Sequence, residues 1–342
     1  MRAVILGTTA LALCLAGALG VLHAADAPAV TFAVLRGDGI LIPIATRSGT
    51  RWTHTWPVPI KAADVPLGLD GIPKRWWGKP GAVTTWHAWQ IDGTVSSIDV
   101  ERPTWYLAHC LQGVGLKTSL TARPPLPPPT TQPYPKLGLA SSAPSTIERV
   151  EPVDQSDRMW MPIADKVDAA MKAAEDAMTG IPMMNVEFHP KHPTPPAERA
   201  KVPARIESLY RAGLGGGRVL YFVEATKRYG MPPLPADRSA KAPTPQKGCS
   251  VMTFGSGFFL VGSDGVVPVP KLRSTLSSCD YDAVSLMLPL GVIADGGQRT
   301  WIGQLTGWDY ESFVGFEWNA KQGAVAEVFA TRGGWCPQGS EW

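Results

Sequence analysis

The sequence predicts a mainly β chain of the α+β type, with antiparallel, hairpin-rich sheets packed in a sandwich-like way and a two-helix insertion around residues 155–212. Three observations carry this expectation. Short apolar runs of alternating character are separated by Asp-Gly or Gly-rich turns along most of the length. The stretch from Trp52 to Trp105 holds Trp52, Trp56, Trp76, Trp77, Trp86, Trp89 and Trp105, more than half of the 13 tryptophans, among turn-forming and β-branched residues. Near residue 160 the apolar period changes from two to about 3.6.

Residues 1–27 stand apart from the fold. Arg2 precedes an uncharged apolar run from Ala3 to Leu22, and Ala25-Asp26-Ala27 offers small residues to a peptidase, the pattern of a secretory signal peptide cleaved between Ala24 and Ala27. An uncleaved anchor is the alternative, because the run approaches the roughly 20 residues of a membrane span. Removing the leader takes away one basic and one acidic residue, Arg2 and Asp26, so the formal charge stays at +3. The basic residues are scattered and no cluster tracks a phosphate backbone, which argues against nucleic acid as a partner. No later run is apolar enough to span a bilayer, so the mature chain is expected to be soluble and secreted or periplasmic.

Val30, Phe32 and Val34 alternate, Gly37-Asp38-Gly39 turns, and Ile40 to Ile44 returns, a hairpin whose Pro43 marks an edge or a bulge. Arg36-Gly37-Asp38 spells an adhesion tripeptide, but its residues are those the turn requires. Similar units recur around Asp92-Gly93, Asp264-Gly265 and Asp295-Gly296 at irregular spacing, so they read as separate hairpins and not as blades of a repeat. Val83 to Trp89, Val95 to Val100 and Trp105 to His109 supply further strands. This divides the chain into a Trp-rich β region at 28–122, a Pro-rich connector at 123–145 and a β region with the helical insertion at 146–342. Ile163, Val167, Ala170, Met171, Ala174 and Met178 share one helical face, with Asp165, Asp168, Lys172, Glu175 and Asp176 off it, Pro162 in the first turn and Gly180 at the exit. A second, shorter helix is expected after Pro203, carrying Ile206, Leu209 and Tyr210 to Gly213. Arg218 to Val223, apolar on both faces, reads as a strand covered on both sides, and short strands fill the remainder.

Four cysteines follow the leader, Cys110, Cys249, Cys279 and Cys336, and an even number in an exported chain points to pairing. Three connectivities are open; Cys249–Cys279 is favoured because it closes a hairpin-rich segment, with Cys110–Cys336 by elimination. The latter bridge would clamp the two β regions into one domain.

Several apparent motifs lack the spacing that their chemistry needs. Gly213 to Gly217 has helix before and strand after, the reverse of a phosphate-binding loop, and reads as a helix exit. Ser256 sits directly between glycines, without the G-x-S-x-G spacing of a nucleophile elbow. His189 and His192 are each followed by proline, and His109-Cys110 offers no partner at metal-ligand spacing, so neither a metal nor another cofactor is implied. From Trp308 to Trp318 the alternation is sharp: Trp308, Tyr310, Val314, Phe316 and Trp318 fall on one face and Asp309, Glu311 and Glu317 on the other. The primary expectation puts the aromatic face in a core and the acids in water, where Glu311→Gln or Asp309→Asn changes stability by no more than about 0.5 kcal/mol. Asp309, Glu311 and Glu317 are nevertheless the candidate acid and base of a glycan hydrolase. Trp76 and Trp77, adjacent and unable to point into one core from an extended segment, are candidate ligand contacts, for a glycan or a protein. A binding or structural module without catalysis takes precedence, and a secreted hydrolase working through carboxylates beside a Trp-lined cleft is the alternative.

Overall fold

The computed structural model of the chain describes residues 29–53, 69, 84–108, 111–120, 136–178, 181–182, 188–189, 192–230, 249, 251–263, 265–269, 272–281, 284–295, 297–307, 310–319 and 321–335. The described chain is mostly strand in antiparallel sheets, as the alternation predicts.

The chain up to residue 141 builds β1 (Val30–Arg36), β2 (Ile40–Ser48), β3 (Arg51–Thr53), β4 (Thr85–Gln90), β5 (Val95–Ala108), β6 (Leu111–Thr118) and β7 (Lys136–Ser141). β1 pairs with β7, β7 with β4, β4 with β5, β5 with β6, β6 with β2, and β2 again with β1. These six strands therefore close on themselves as a barrel, and β3 adds to the far end of β2. Closure requires β7, so residues 136–141 are barrel wall although they lie within the stretch read as connector. The β1–β2 hairpin turns at Gly39, whose φ of 76° suits glycine and whose Cβ would meet the Leu120 carbonyl oxygen at 2.5 Å. Pro43 faces Ala33 while Phe32 faces Ala45, so the strand bulges at Ile44, next to the proline. Period-two alternation sends Ala33, Leu35, Leu41, Trp86, Ala88, Ile98, Val114, Leu116 and Ala140 into the barrel. Arg36 is buried, chelates Asp38 at 2.8 and 3.1 Å and donates to the Leu107 carbonyl, so its tripeptide is turn chemistry.

The rest of the chain continues with β8 (Thr146–Glu148), β9 (Glu151–Pro152), α1 (Trp160–Asp176), β10 (Ile181–Pro182), β11 (Phe188–His189), α2 (Pro196–Arg199), β12 (Arg205–Gly215), β13 (Arg218–Tyr229), β14 (Val251–Gly262), β15 (Gly265–Pro268), β16 (Arg273–Ser277), β17 (Leu286–Asp295), β18 (Gln298–Thr306), β19 (Tyr310–Asn319) and β20 (Ala324–Trp335). Strands β20-β19-β18-β17-β8 form one sheet, and β15-β14-β13-β12-β9, with β16 also on β14, form another. The first of these is covered on both faces. Leu290, Ile293, Ile302, Phe313 and Phe329 pack on the outside of the barrel against Phe32, Val34, Ile42 and Ile44. Met287, Val292, Trp301 and Val325 pack against Leu220, Phe222 and Phe258 of the second sheet. The second sheet then carries α1 on its other face, where Ile163, Val167 and Met171 meet Leu209, Tyr221, Val223, Ala225 and Phe259. The order of layers is barrel, sheet, sheet, helix.

β13 is the doubly covered strand its apolar run predicts. Its even residues through Glu224 face the first sheet and its odd residues face the helix. The expected helix after Pro203 is corrected: Arg205 to Gly215 is strand β12, and the second helix is the single turn Pro196–Arg199. The spacing of Ile206, Leu209 and Tyr210 fits a helix locally, but pairing along β13, reinforced by Ser208 to Glu224 and Thr226 to Glu207 side-chain bonds, overrides it. Gly213 to Gly217 is accordingly a hairpin connection and not a helix exit, with Gly215, Gly216 and Gly217 all at positive φ. Ser256 lies mid-strand opposite Glu224, and the glycine before it makes room for Leu272, whose Cδ2 would stand 2.7 Å from a Cβ at Gly255. Cys249 and Cys279 come to disulfide distance, Cα atoms 6.1 Å apart, beside the β14–β16 pairing. Cys110 and Cys336 lie outside the described residues, as do the Pro-rich segment at 123–135 and the loop at 231–248. Among the described residues no helix is long and apolar enough to cross a membrane.

Candidate functional site

Of the residues singled out in the sequence, Trp76, Trp77 and Asp309 lie outside the described residues. Glu311 and Glu317 are on β19, on the face that meets the barrel. The expectation that these acids stand in water is corrected for Glu311, which is 2% exposed, because both faces of this sheet are covered. Its Oε2 accepts from Lys136 Nζ and from Gln304 Nε2, each at 3.0 Å. Burial pulls the Lys136 ammonium below its usual pKa, and Glu311 opposes that shift. Glu317 accepts from Trp52 Nε1 at 2.8 Å and Thr300 Oγ1 at 2.7 Å. With β19 regular against β18, the six-residue separation of the two acids amounts to about 20 Å, roughly twice the widest spacing at which two carboxylates share a glycosidic bond.

A second buried network surrounds Glu175, which the sequence reading placed off the apolar face of α1. It follows Ile163, Val167 and Met171 at steps of four and is buried with them. That spacing was the available signal. Lys227 Nζ lies 3.1 Å from Glu175 Oε2, the Tyr229 hydroxyl donates to Oε1, and Arg199 Nε and His192 Nε2 stand at 3.7 and 3.9 Å. His192 Nδ1 accepts from the Thr194 amide at 3.1 Å, so the neutral ring carries its proton on Nε2 and donates to Thr253 Oγ1 at 3.0 Å. Burial pushes the His192 pKa down, which keeps it neutral, and burial also pushes the Tyr229 hydroxyl up. With every member buried and charges balanced by Asp176 on Arg199, the cluster braces α1 and α2 against β13.

Glu224 lies between the two sheets, accepting from Ser208 Oγ and the Met287 amide at 2.6 Å each. Burial raises its pKa from 4.5 to about 7. The folded chain therefore holds this proton more tightly than the unfolded chain. The associated stability is fully present below about pH 4.5 and is lost as the pH rises through about 7. Glu224→Gln, which imitates the protonated acid, is expected to raise stability at pH 8 by roughly 3 kcal/mol and to flatten that slope. Urea titrations at pH 5 and pH 8 check this; equal gains at both would disprove the titration.

The remaining feature is an open cleft of about 380 Å3 at the hairpin end of the second sheet. Its origin is a mismatch of lengths. The helical rise from Met159 to Glu175 is about 24 Å, which matches the stretch of β13 from Tyr221 to Lys227 and a little beyond, about 20 Å. The β12–β13 hairpin therefore projects past the start of α1, and its helix-side face is left uncovered. Arg211 and Gly213 of β12, Val219 and Tyr221 of β13 and Val261 of β14 make the floor; Arg149, Glu151, Asp157, Arg158 and Met159 make the wall. Arg211 is tethered by Glu151 at 2.8 Å and Asp157 at 2.6 Å and also donates to the Tyr221 hydroxyl. Burial raises the Tyr221 pKa, so the hydroxyl keeps its own proton. Arg149 and Arg158 are exposed, and among the described residues neither pairs with an acid. No group of three or more His, Cys, Asp or Glu converges among the described residues in a way that would hold a metal ion.

Compared with known protein families, with curated proteins and with solved structures, the chain has no match.

Proposed function

We propose that this chain works outside the cytoplasm as a binding module without catalytic activity, with the cleft over Arg211, Val219, Tyr221 and Val261 as its ligand seat. The observation that carries the reading is the chemistry of the lining. Among the described lining residues there is no Ser, Thr, Cys, His or Lys, which leaves Glu151, Asp157 and Tyr221 as the only groups of nucleophilic type among them. Its two described carboxylates are both engaged by Arg211, and its tyrosine is a weaker acid than usual. Hydrogen-bond donors over an apolar floor suit retention of a ligand. Export is supported by the leader-like residues 1–27 and by the Cys249–Cys279 pair, which suits an oxidising compartment.

The test uses the secreted protein. Its intact mass is expected to correspond to cleavage between Ala24 and Ala27, and glycan panels incubated with it are expected to be recovered with unchanged chain length. A full-length chain retained in membranes would refute export, and release of new reducing ends by the wild type would refute the non-catalytic reading.

A further inference from the structure

Resting on the cleft as ligand seat, we infer that its ligand is a small organic anion, with a carboxylate or phosphate group held at the Arg149–Arg158 rim and an apolar body laid over Val219 and Val261. Three features converge on this class. Among the described residues the lining carries three arginines against two acids, both acids are already satisfied by Arg211, and Arg149 and Arg158 pair with no acid. Guanidinium groups offer forked donors that match the two oxygens of a carboxylate or phosphate. Deeper in, the buried Tyr221 hydroxyl lies beside Arg211 and adds a neutral donor to the arginines of the cleft. Beyond these donors the floor is aliphatic, and a fully hydrated inorganic ion would leave it unused. The volume of about 380 Å3 lies at the small end of ligand clefts, which excludes a polymer laid along its whole length.

Gly213 supplies a control that leaves the charges intact. It lies on the same face of β12 as Arg211, and a Cβ built there meets no atom within 4 Å. Gly213→Leu therefore has room at its Cβ and projects an apolar side chain on the cleft side of β12. Arg149→Gln and Arg158→Gln change exposed side chains and leave the core untouched.

The experiment is calorimetric titration of the secreted chain with 2-naphthoate, 2-naphthyl phosphate and the neutral 2-naphthamide, at low and high salt. At least one of the two anions is expected to bind tenfold or more tightly than the amide, with the advantage shrinking as salt screens the arginines. Which anion leads tells a carboxylate ligand from a phosphate ester. The Arg149→Gln/Arg158→Gln pair is expected to bring that anion to the level of the amide, and Gly213→Leu to abolish binding of all three. Amide and anions binding equally, both lost in Gly213→Leu, would overturn the anion class and leave the cleft as the seat. Binding of no probe by the wild type, or binding that survives Gly213→Leu, would overturn the seat as well.

Discussion

Glu175→Ala is expected to lower the stability of the folded chain by about 3–5 kcal/mol, the range for removing one partner of a buried ion pair. The size follows from what is left behind. Lys227 and Arg199 are 2% and 5% exposed, and without Glu175 the Lys227 ammonium loses its partner in the helix–sheet interface. Tyr229 loses the acceptor of its hydroxyl. The double variant Glu175→Leu/Lys227→Met removes both charges of the closest pair and fills the space with apolar atoms, and it is expected to recover most of the loss. Chemical denaturation of the two variants decides the matter. A loss below 1 kcal/mol in Glu175→Ala would show that the network does not brace the helix.

The second large effect is at the junction of barrel and sheet. Glu311→Gln is expected to cost about 3–5 kcal/mol, well beyond the 0.5 kcal/mol due to an acid in water. Lys136, with its side chain fully buried, would then face a neutral amide where the carboxylate had stood. Its folded-state pKa, already lowered by burial, would fall further. The sign of the pH dependence follows: the folded variant sheds this proton more readily than the unfolded chain, so its stability climbs as the pH rises from 7 towards 10. Denaturation at pH 7 and pH 9.5 reads this directly, and a variant that is no less stable than wild type at pH 7 would refute the buried pair.

These two positions also show how much of the molecule is legible from residue order. The hairpins at Gly39 and Gly93, the doubly covered strand at Arg218 and the start of the long helix follow from local rules of turn chemistry and period. Glu175 is set off the apolar face when that face is traced by apolar residues alone, although steps of four from Ile163 carry it onto the buried side. Glu311 is set in water for a different reason. Alternation separates two faces of a strand but does not say that both are covered, and the cover here comes from β1 and β2, some 270 residues earlier. The barrel itself closes through β1–β7 and β4–β7 pairings that no local signal announces. The cleft is more remote still from any motif, since Glu151, Asp157 and Arg211 meet only when the sheet and the start of α1 are assembled.

The edge of β17 illustrates what the carboxylate of Glu224 does besides titrate. β8 covers this strand only at Val292 to Ala294, and Leu286 and Leu288 before it are 42% and 38% exposed. Such an uncovered margin with aliphatic side chains is a template for strand addition by another molecule, the first step of aggregation. A visiting strand needs amide hydrogens that point outward, and in antiparallel pairing these belong to every second residue. At Met287 the outward amide is already held by Glu224, and at the next such position stands Pro289, which has none. This margin of the sheet therefore gives an approaching chain nothing to accept from, and two neighbours in the fold keep a greasy edge from becoming a seam between molecules.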